Sequence, residues 1–272
     1  MSVRVVAVTG SASGIGAATA NLMRASGDRV IGVDMRDADV VADLSSAAGR
    51  RAAIEGVRLQ CGGKLNALVA CAGLGSDTGD EARILAVNYF GAAELLIALR
   101  TDLAQAVAPA AVAVCSWAML QPTPRDEVIE ACLAMDEARA LELAASDSRL
   151  DEIRPAYATS KSALARLVRR LAPTSDWAKV GITLNAVVPS VTRTPMVAAR
   201  LATAQGTQEL LRAAPSPMGR IAEAEEVADV ISYFASGRAR QVTGQLIFVD
   251  GGLDAQRRPF DVLEPLAAAR WS

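Results

Sequence analysis

The sequence predicts an α/β fold in which a doubly wound parallel sheet of about seven strands carries helices on both faces. Three observations lead there. Short β-branched runs alternate with longer Ala/Leu-rich stretches, the rhythm of strand–helix–strand crossovers. Most of the short runs are continuously apolar rather than alternating, as in strands covered on both sides. Residues are 51% hydrophobic but only 4% aromatic, so Ala, Val and Leu must build the core, which suits helices packed on a Val/Ile sheet.

Taken in order, strands are expected at 3–9 (VRVVAVT), 29–34 (RVIGVD), 39–43 (DVVAD) and 65–71 (LNALVAC), then at 110–116, 182–188 and 245–250. Helices are expected near 15–26, 45–57, 80–106, 155–172 and 223–236. The chain is 272 residues long and shows no repeat or linker, so one domain over 1–272 is the economical reading. The segment 125–153 breaks the rhythm. Val128, Cys132 and Met135 recur at helical spacing with Leu141 nearby, among many charges, which reads as an added helical hairpin or one long helix within about 122–154. Two roles stand for it: a solvated surface insertion, or a device that shapes the substrate mouth or obstructs an oligomer interface.

Composition removes several function classes. A net charge of −2 with scattered Lys and Arg offers no footprint for nucleic acid or an anionic membrane. Apolar runs such as 84–90 and 110–115 are too short to span a bilayer, and Met1 leads into the first strand without a basic n-region. Cys61, Cys71, Cys115 and Cys132 have no CxxC spacing and read as reduced structural thiols, two of them in buried strands, in a cytoplasmic protein. There is no histidine, so Ser-His-Asp and Cys-His chemistry and histidine-ligated zinc sites lose a necessary member, and no metal site is expected. Acid–base work must fall to Tyr, Lys, Asp, Glu or a hydroxyl.

At the first strand–helix junction stands TGSASGIG, with Gly10, Gly14 and Gly16 in a TGxxxGxG pattern rather than GxGxxG. Gly10 can take the tight turn, Gly14 can let a pyrophosphate reach the backbone, and Gly16 can bring helix and strand close. The fold is therefore expected to be of the Rossmann type. The second strand ends in Asp34, whose carboxylate can accept both adenosine ribose hydroxyls and would repel a 2′-phosphate, so NAD is favoured over NADP. Arg36 reads as surface. Asp43, at the end of the third strand, either accepts from the adenine amino group or sits at a helix N-terminus.

Tyr157 and Lys161 in YATSK are four residues apart, one face of a helix. Together with TGSASGIG, Asp34, ADL (42–44), CAG (71–73), VNYFGA (87–92), VCSW (114–117), NAVVPSVTRTPM (185–196) and VTGQLIFVDGG (242–252), the pair makes the chain resemble the short-chain dehydrogenase/reductase family, in its single-domain branch. Within that family the likeness is to the bacterial hydroxysteroid dehydrogenase and carbonyl reductase group, through IGVDMRDADVVADLS (31–45), CAGLG (71–75), PMGR (217–220) and the insertion before the tyrosine.

That resemblance implies a tetrad of Asn88, Ser116, Tyr157 and Lys161. Tyr157 would give or take the substrate's hydroxyl proton, and Ser116 would hydrogen-bond the substrate oxygen as charge shifts there. A free phenol ionises near pH ~10, and a neighbouring cation favours the phenolate. Lys161 would be that cation and would hold the nicotinamide ribose, while Asn88 would hold a water leading to bulk solvent. The implied dinucleotide contacts begin with Gly10, Ser13, Gly14, Ile15 and Gly16, and continue with Asp34, Met35, Asp43 and Leu44. They run on through Cys71, Ala72 and Gly73 to Tyr157 and Lys161, and close with Pro189, Thr192 and Thr194.

Three departures from the family pattern matter. Cys71 replaces an asparagine, a change of sheet packing. Ser190 replaces a glycine; if that position needs positive φ, serine costs about 1 kcal/mol. The gap from Ser116 to Tyr157 is stretched by the insertion.

The expected activity is NAD(H)-dependent interconversion of a secondary alcohol and a ketone, with a hydroxysteroid or another bulky hydrophobic carbonyl as substrate. A small diol or sugar-alcohol dehydrogenase is the rival, and a non-catalytic dinucleotide-binding regulator a third reading that predicts a lost tetrad. A sugar-nucleotide epimerase also uses YxxxK but needs a longer C-terminal region. The segment 191–218 is expected to be a substrate lid: its Ala, Leu and Met suit an apolar substrate or simple core packing, and Arg193, Arg200 and Arg212 are available to a carboxylate. The insertion favours a homodimer over the family's tetramer. The tail after Gly252, with RRPF and LAAARW, either packs across a partner or covers the domain.

Overall fold

In the computed structural model, which describes residues 3–146 and 155–260, the seven expected strands form one parallel sheet. They are β1 (Val5–Thr9), β2 (Arg29–Asp34), β3 (Val40–Val41), β4 (Ala67–Ala70), β5 (Ala110–Val114), β6 (Thr183–Pro189) and, after a short ribbon, β9 (Leu246–Val249). The ribbon pairs β7 (Thr192–Arg193) with β8 (Ala222–Glu223). Sheet order is β3-β2-β1-β4-β5-β6-β9, so the chain winds outward from β1 in one direction and from β4 in the other. Ligands bind at such a reversal, beyond the carboxyl ends of the strands.

The helices are α1 (Gly14–Ala25), α2 (Ala47–Cys61), α3 (Glu81–Leu85), α4 (Ala92–Ala98) and α5 (Arg100–Leu103), then α6 (Asp126–Leu133), α7 (Glu137–Ala145) and α8 (Ala156–Leu171). The chain continues with α9 (Ala198–Leu201), α10 (Ala204–Ala213), α11 (Ala224–Ala235) and α12 (Leu253–Arg257). Side-chain alternation splits the core in two. Val6, Val8, Val69, Val112 and Val187 point to α1 and α11, while Ala7, Leu68, Ala70, Ala111 and Ala113 point to α2, α4 and α8. Among the described residues no helix is long and apolar enough to cross a membrane.

Several elements differ from expectation. The stretch 80–106 is not one helix: α3 runs into a π-helical turn, Ala86–Gly91, before α4 and α5. Asn88 therefore lies in a turn with one residue more than an α-helix would use. β3 has two residues, which leaves Asp43 beyond its end, and β4 and β5 stop just before Cys71 and Cys115. Ser116 caps a 3₁₀ turn, Trp117–Leu120, instead of ending a strand. The serine at 190 carries no penalty, because among the described residues the non-glycine positions with positive φ are Asp37, Ala108 and Met135.

The insertion is a helical pair, as one expectation had it, solvated on its outer face and buried on its inner one. Val128, Ile129, Ala131 and Cys132 of α6 and Ala140 and Ala144 of α7 are buried in the main core. α6 packs on α8 and α7 on α3. Arg166 pairs with Asp126 at 3.3 Å, and Thr159 Oγ1 accepts from Arg125 N, so α6 docks two residues from Tyr157. Residues 147–154 of the insertion and LAAARW of the tail lie outside the described residues.

Candidate active site

The glycine loop adopts the shape its spacing requires. Gly10 and Gly14 have positive φ, and a Cβ on Gly16 would lie 2.0 Å from the Gly10 carbonyl oxygen. At the start of α1 the Ser13 side chain makes no cap hydrogen bond and the first turn holds no acidic residue. The N–H groups of that turn have no helical acceptor, and the dipole end is positive, so the cradle fits an anionic pyrophosphate. Thr9 Oγ1 accepts from Cys71 N and Ala72 N, both at 3.0 Å, and ties the ends of β1 and β4 beneath the loop.

At the end of β2, Asp34 accepts from Ala12 N (3.0 Å) and Met35 N (2.7 Å), which holds its carboxylate at the rim of the cradle. Asp43 accepts from Ser45 N at 2.9 Å, and these hydrogen bonds hold its carboxyl below the usual range. The cap of α2 is Ser46, whose Oγ accepts from Gly49 N, so Asp43 is not the capping residue.

Tyr157 and Lys161 occupy the first turns of α8 on one face. Lys161 is 4% exposed and donates to the Val114 carbonyl at 2.8 Å, so a buried ammonium stands where β5 ends. Ser116 Oγ accepts from Ala118 N at 3.2 Å, which leaves its own hydrogen free to donate. Asn88 is fully buried. Its Oδ1 accepts from Leu74 N (2.7 Å), and its amide donates to the Leu74 carbonyl (3.0 Å) and to Ser160 Oγ (3.3 Å). A Cβ on Gly73 would sit 3.3 Å from Asn88 Oδ1 and 3.4 Å from Lys161 Nζ, so these two polar atoms flank one small space.

A single cavity of about 730 Å³ joins these parts. Its lining includes Gly10, Ser13, Gly14, Ile15 and Gly16, then Asp34, Met35, Asp43 and Leu44, and then Cys71, Ala72 and Gly73. Ser116, Tyr157, Lys161, Pro189, Thr192 and Thr194 complete the residues expected from the sequence; Asn88 stands behind the wall. Arg36, read as surface, is exposed and also lines the rim. From 191–218 the lining also takes Val191, Pro195, Met196, Val197, Arg200, Leu210, Ala213 and Ala214, so this segment borders the cavity. None of the described residues of α6 and α7 lines it. Burial pushes the Cys71 and Cys115 thiols up to about 12 despite the opposing Lys161 charge, which makes both poor nucleophiles.

The structure adds residues that sequence reasoning missed. The first turn of α8 begins after Pro155 with no side-chain cap of its own. Glu81, from α3, reaches across, and its Oε2 accepts from Ala156 N at 2.8 Å while Oε1 has no partner among the described residues. A buried carboxylate at a helix N-terminus offsets the dipole and satisfies one free N–H. No spacing in the sequence links the two helices; only the fold does. Changing Glu81 to Ala is expected to cost about 1–2 kcal/mol of stability, and Glu81→Gln less. Thermal unfolding of both variants checks this, and a loss no greater for Ala than for Gln would refute the cap.

Comparison with known proteins agrees with this geometry. The model of the enoyl-(acyl carrier protein) reductase family matches residues 10–254. The chain is 39% identical over 256 residues to the 3-alpha-hydroxysteroid dehydrogenase/carbonyl reductase of Comamonas testosteroni, covering 94% of this chain and 98% of that protein. It is 33% identical to the cis-4-hydroxycyclohexanecarboxylate dehydrogenase of Sinomonas cyclohexanicum, with 93% and 97% coverage. The crystal structure of the 3-alpha-hydroxysteroid dehydrogenase from Pseudomonas sp. B-0831 complexed with NADH superposes with a TM-score of 0.85 at 43% identity, covering 94% and 98% of the two chains.

Proposed function

The chain belongs to the short-chain dehydrogenase/reductase family, and on that premise we propose that it interconverts a secondary alcohol and a ketone with NAD(H), acting on a hydroxysteroid or another bulky hydrophobic carbonyl. The observation that carries this reading is the one cavity shared by the glycine cradle, Asp34, Ser116, Tyr157 and Lys161 and bordered by the largely apolar lining of 191–218.

When bound, NADH supplies the hydride for reduction. The chain's residues do the rest. Gly10, Gly14 and Gly16 with the α1 N-terminus hold the pyrophosphate, and Asp34 takes the adenosine ribose hydroxyls. Ser116 donates to the substrate oxygen and steadies its growing negative charge. Tyr157 gives that oxygen its phenolic proton, or removes the proton during oxidation. Lys161, buried one helical turn away on the same face of α8, lines the same cavity and is placed to hold the nicotinamide ribose. Asn88 keeps Leu74 and the floor of the cavity in place, and with Lys161 it flanks a space for the water that returns the proton.

NADH consumption measured with a panel of steroid ketones and quinone-like ketones tests the reading. Turnover with at least one member is expected; none, with NADH still bound, overturns the substrate class. Asp34→Ala is expected to lower the preference for NADH over NADPH, as a kcat/KM ratio, by at least about tenfold, because the repulsion of a 2′-phosphate is lost. An unchanged ratio would place cofactor choice elsewhere. α6 covers part of α8, the helix that the family's tetramer uses at an interface, which supports a homodimer. Sedimentation equilibrium is expected to report a dimer, and a monomer or tetramer would count against it.

A further inference from the structure

The charged residues that line the cavity fall into separate places. Asp34, Arg36 and Asp43 belong to the chain at and after β2, beside the glycine cradle, and Lys161 stands on α8 with Tyr157. In the segment 191–218, Arg200 is the one charged side chain that lines the cavity among the described residues. The other two arginines of that segment are otherwise placed: Arg193 is paired with Glu223 at 3.1 Å, and Arg212 is exposed and off the cavity.

The same cavity is lined by the apolar side chains of Leu74, Trp117, Met196, Val197 and Leu210. A guanidinium at the edge of such a space has to be matched by an anion or by water. Its partner is Asp77, in the Ser76–Thr78 turn on the opposite lip, at 3.4 Å. That is longer than a charge-assisted hydrogen bond of about 2.7–2.9 Å. Both side chains are partly exposed, 42% for Arg200 and 60% for Asp77, so the pair is weak and exchangeable. Gly75, beside this turn, lies so close to the segment 191–218 that a Cβ there would be 3.0 Å from Met196, so the lip and that segment are in contact around the pair.

We propose that Arg200 reads an anionic group on the substrate: the favoured substrates are ketones or secondary alcohols whose apolar body ends in a carboxylate, which replaces Asp77 on the guanidinium. This rests on the oxidoreductase reading and adds to it the chemical class of the substrate's far end. The carbonyl goes to Ser116 and Tyr157, the hydrocarbon to the apolar walls, and the carboxylate to the five donors of Arg200. Asp77 holds the arginine at the lip until the substrate arrives.

The experiment compares keto acids with their methyl esters in the full-length enzyme with NADH bound. 4-Oxocyclohexanecarboxylate and 3-oxocholanate, each against its ester, cover a short and a steroid-sized body. Binding is read by titration calorimetry in a Tyr157→Phe background, where reduction is stalled with NADH still bound, and turnover by NADH consumption with Tyr157 in place. The acid is expected to bind at least about tenfold more tightly than its ester for one of the two bodies. That ratio falls to about one in Arg200→Gln and rises in Asp77→Asn, where the competing carboxylate is gone. Equal binding of acid and ester in both pairs, no binding of either, or a ratio unmoved by Arg200→Gln overturns the proposal. Discriminating binding without turnover of any probe leaves the anion site standing and counts against the oxidoreductase reading instead.

Discussion

Replacing Tyr157 with phenylalanine is expected to lower turnover by about 10³-fold or more while NADH binding stays within about twofold. The substitution removes one oxygen and keeps the ring that packs at the start of α8, so the cavity wall survives. What disappears is the proton. With no histidine in the chain and both cavity thiols held up to about 12, no neighbouring group can take over at neutral pH. Lys161 stays buried against the Val114 carbonyl and keeps its place. Steady-state rates and an NADH fluorescence titration on the same protein separate the two effects. Turnover within about tenfold of the parent would reject Tyr157 as the acid.

A second large effect is expected far from the reacting atoms. Arg50 is fully buried in α2, between Glu94 of α4 (2.9 Å) and Glu137 of α7 (2.5 Å), and it donates to the Leu44 carbonyl at 3.3 Å. Removing the cation leaves two half-buried carboxylates facing a hydrophobic side chain. Breaking a buried pair this way costs about 3–5 kcal/mol, and the partial exposure of both glutamates places Arg50→Met near the lower end. Melting should fall by about 5–10 °C. Adding Glu94→Gln and Glu137→Gln should recover most of the loss, because the penalty is the unpaired charge and not the missing arginine. A loss below about 2 °C for Arg50→Met would show that water reaches the glutamates freely. Since Leu44 lines the cavity, the variant should also raise the KM for NADH.

What could be read in advance follows from range along the chain. Of the seven strands of the main sheet, β1, β2, β4, β5 and β6 were legible because each is a short apolar run that is almost wholly buried. The edge strands β3 and β9 were legible as short β-branched runs, although β3 exposes Val41 and β9 is only partly buried. The glycine loop, Asp34 and the Tyr157–Lys161 pair were legible because each is a local pattern with a local physical reason. Arg50 was not, since an arginine in RR on a helix looks solvated until α4 and α7 close over it. Glu81 gave no sign of capping α8, whose start lies 75 residues away. The break in 80–106 was hidden for the same reason: its composition is helical throughout, and tertiary packing around Asn88 sets the turn. The two-residue strands β7 and β8 are too short to leave a periodic signal.

The π-turn at Ala86–Gly91 makes chain length, and not just residue identity, part of the site. In an α-helix each residue adds about 100° of rotation. Deleting one residue from this turn would restore regular winding and swing everything on one side of it by that angle. The apolar composition of 81–98 would survive, but Asn88 would leave Leu74 and Ser160, or Glu81 would leave Ala156. Substitutions here can be absorbed by repacking, whereas single-residue insertions and deletions cannot. In drifting relatives the reading frame of this helix should therefore be guarded more strictly than its spelling.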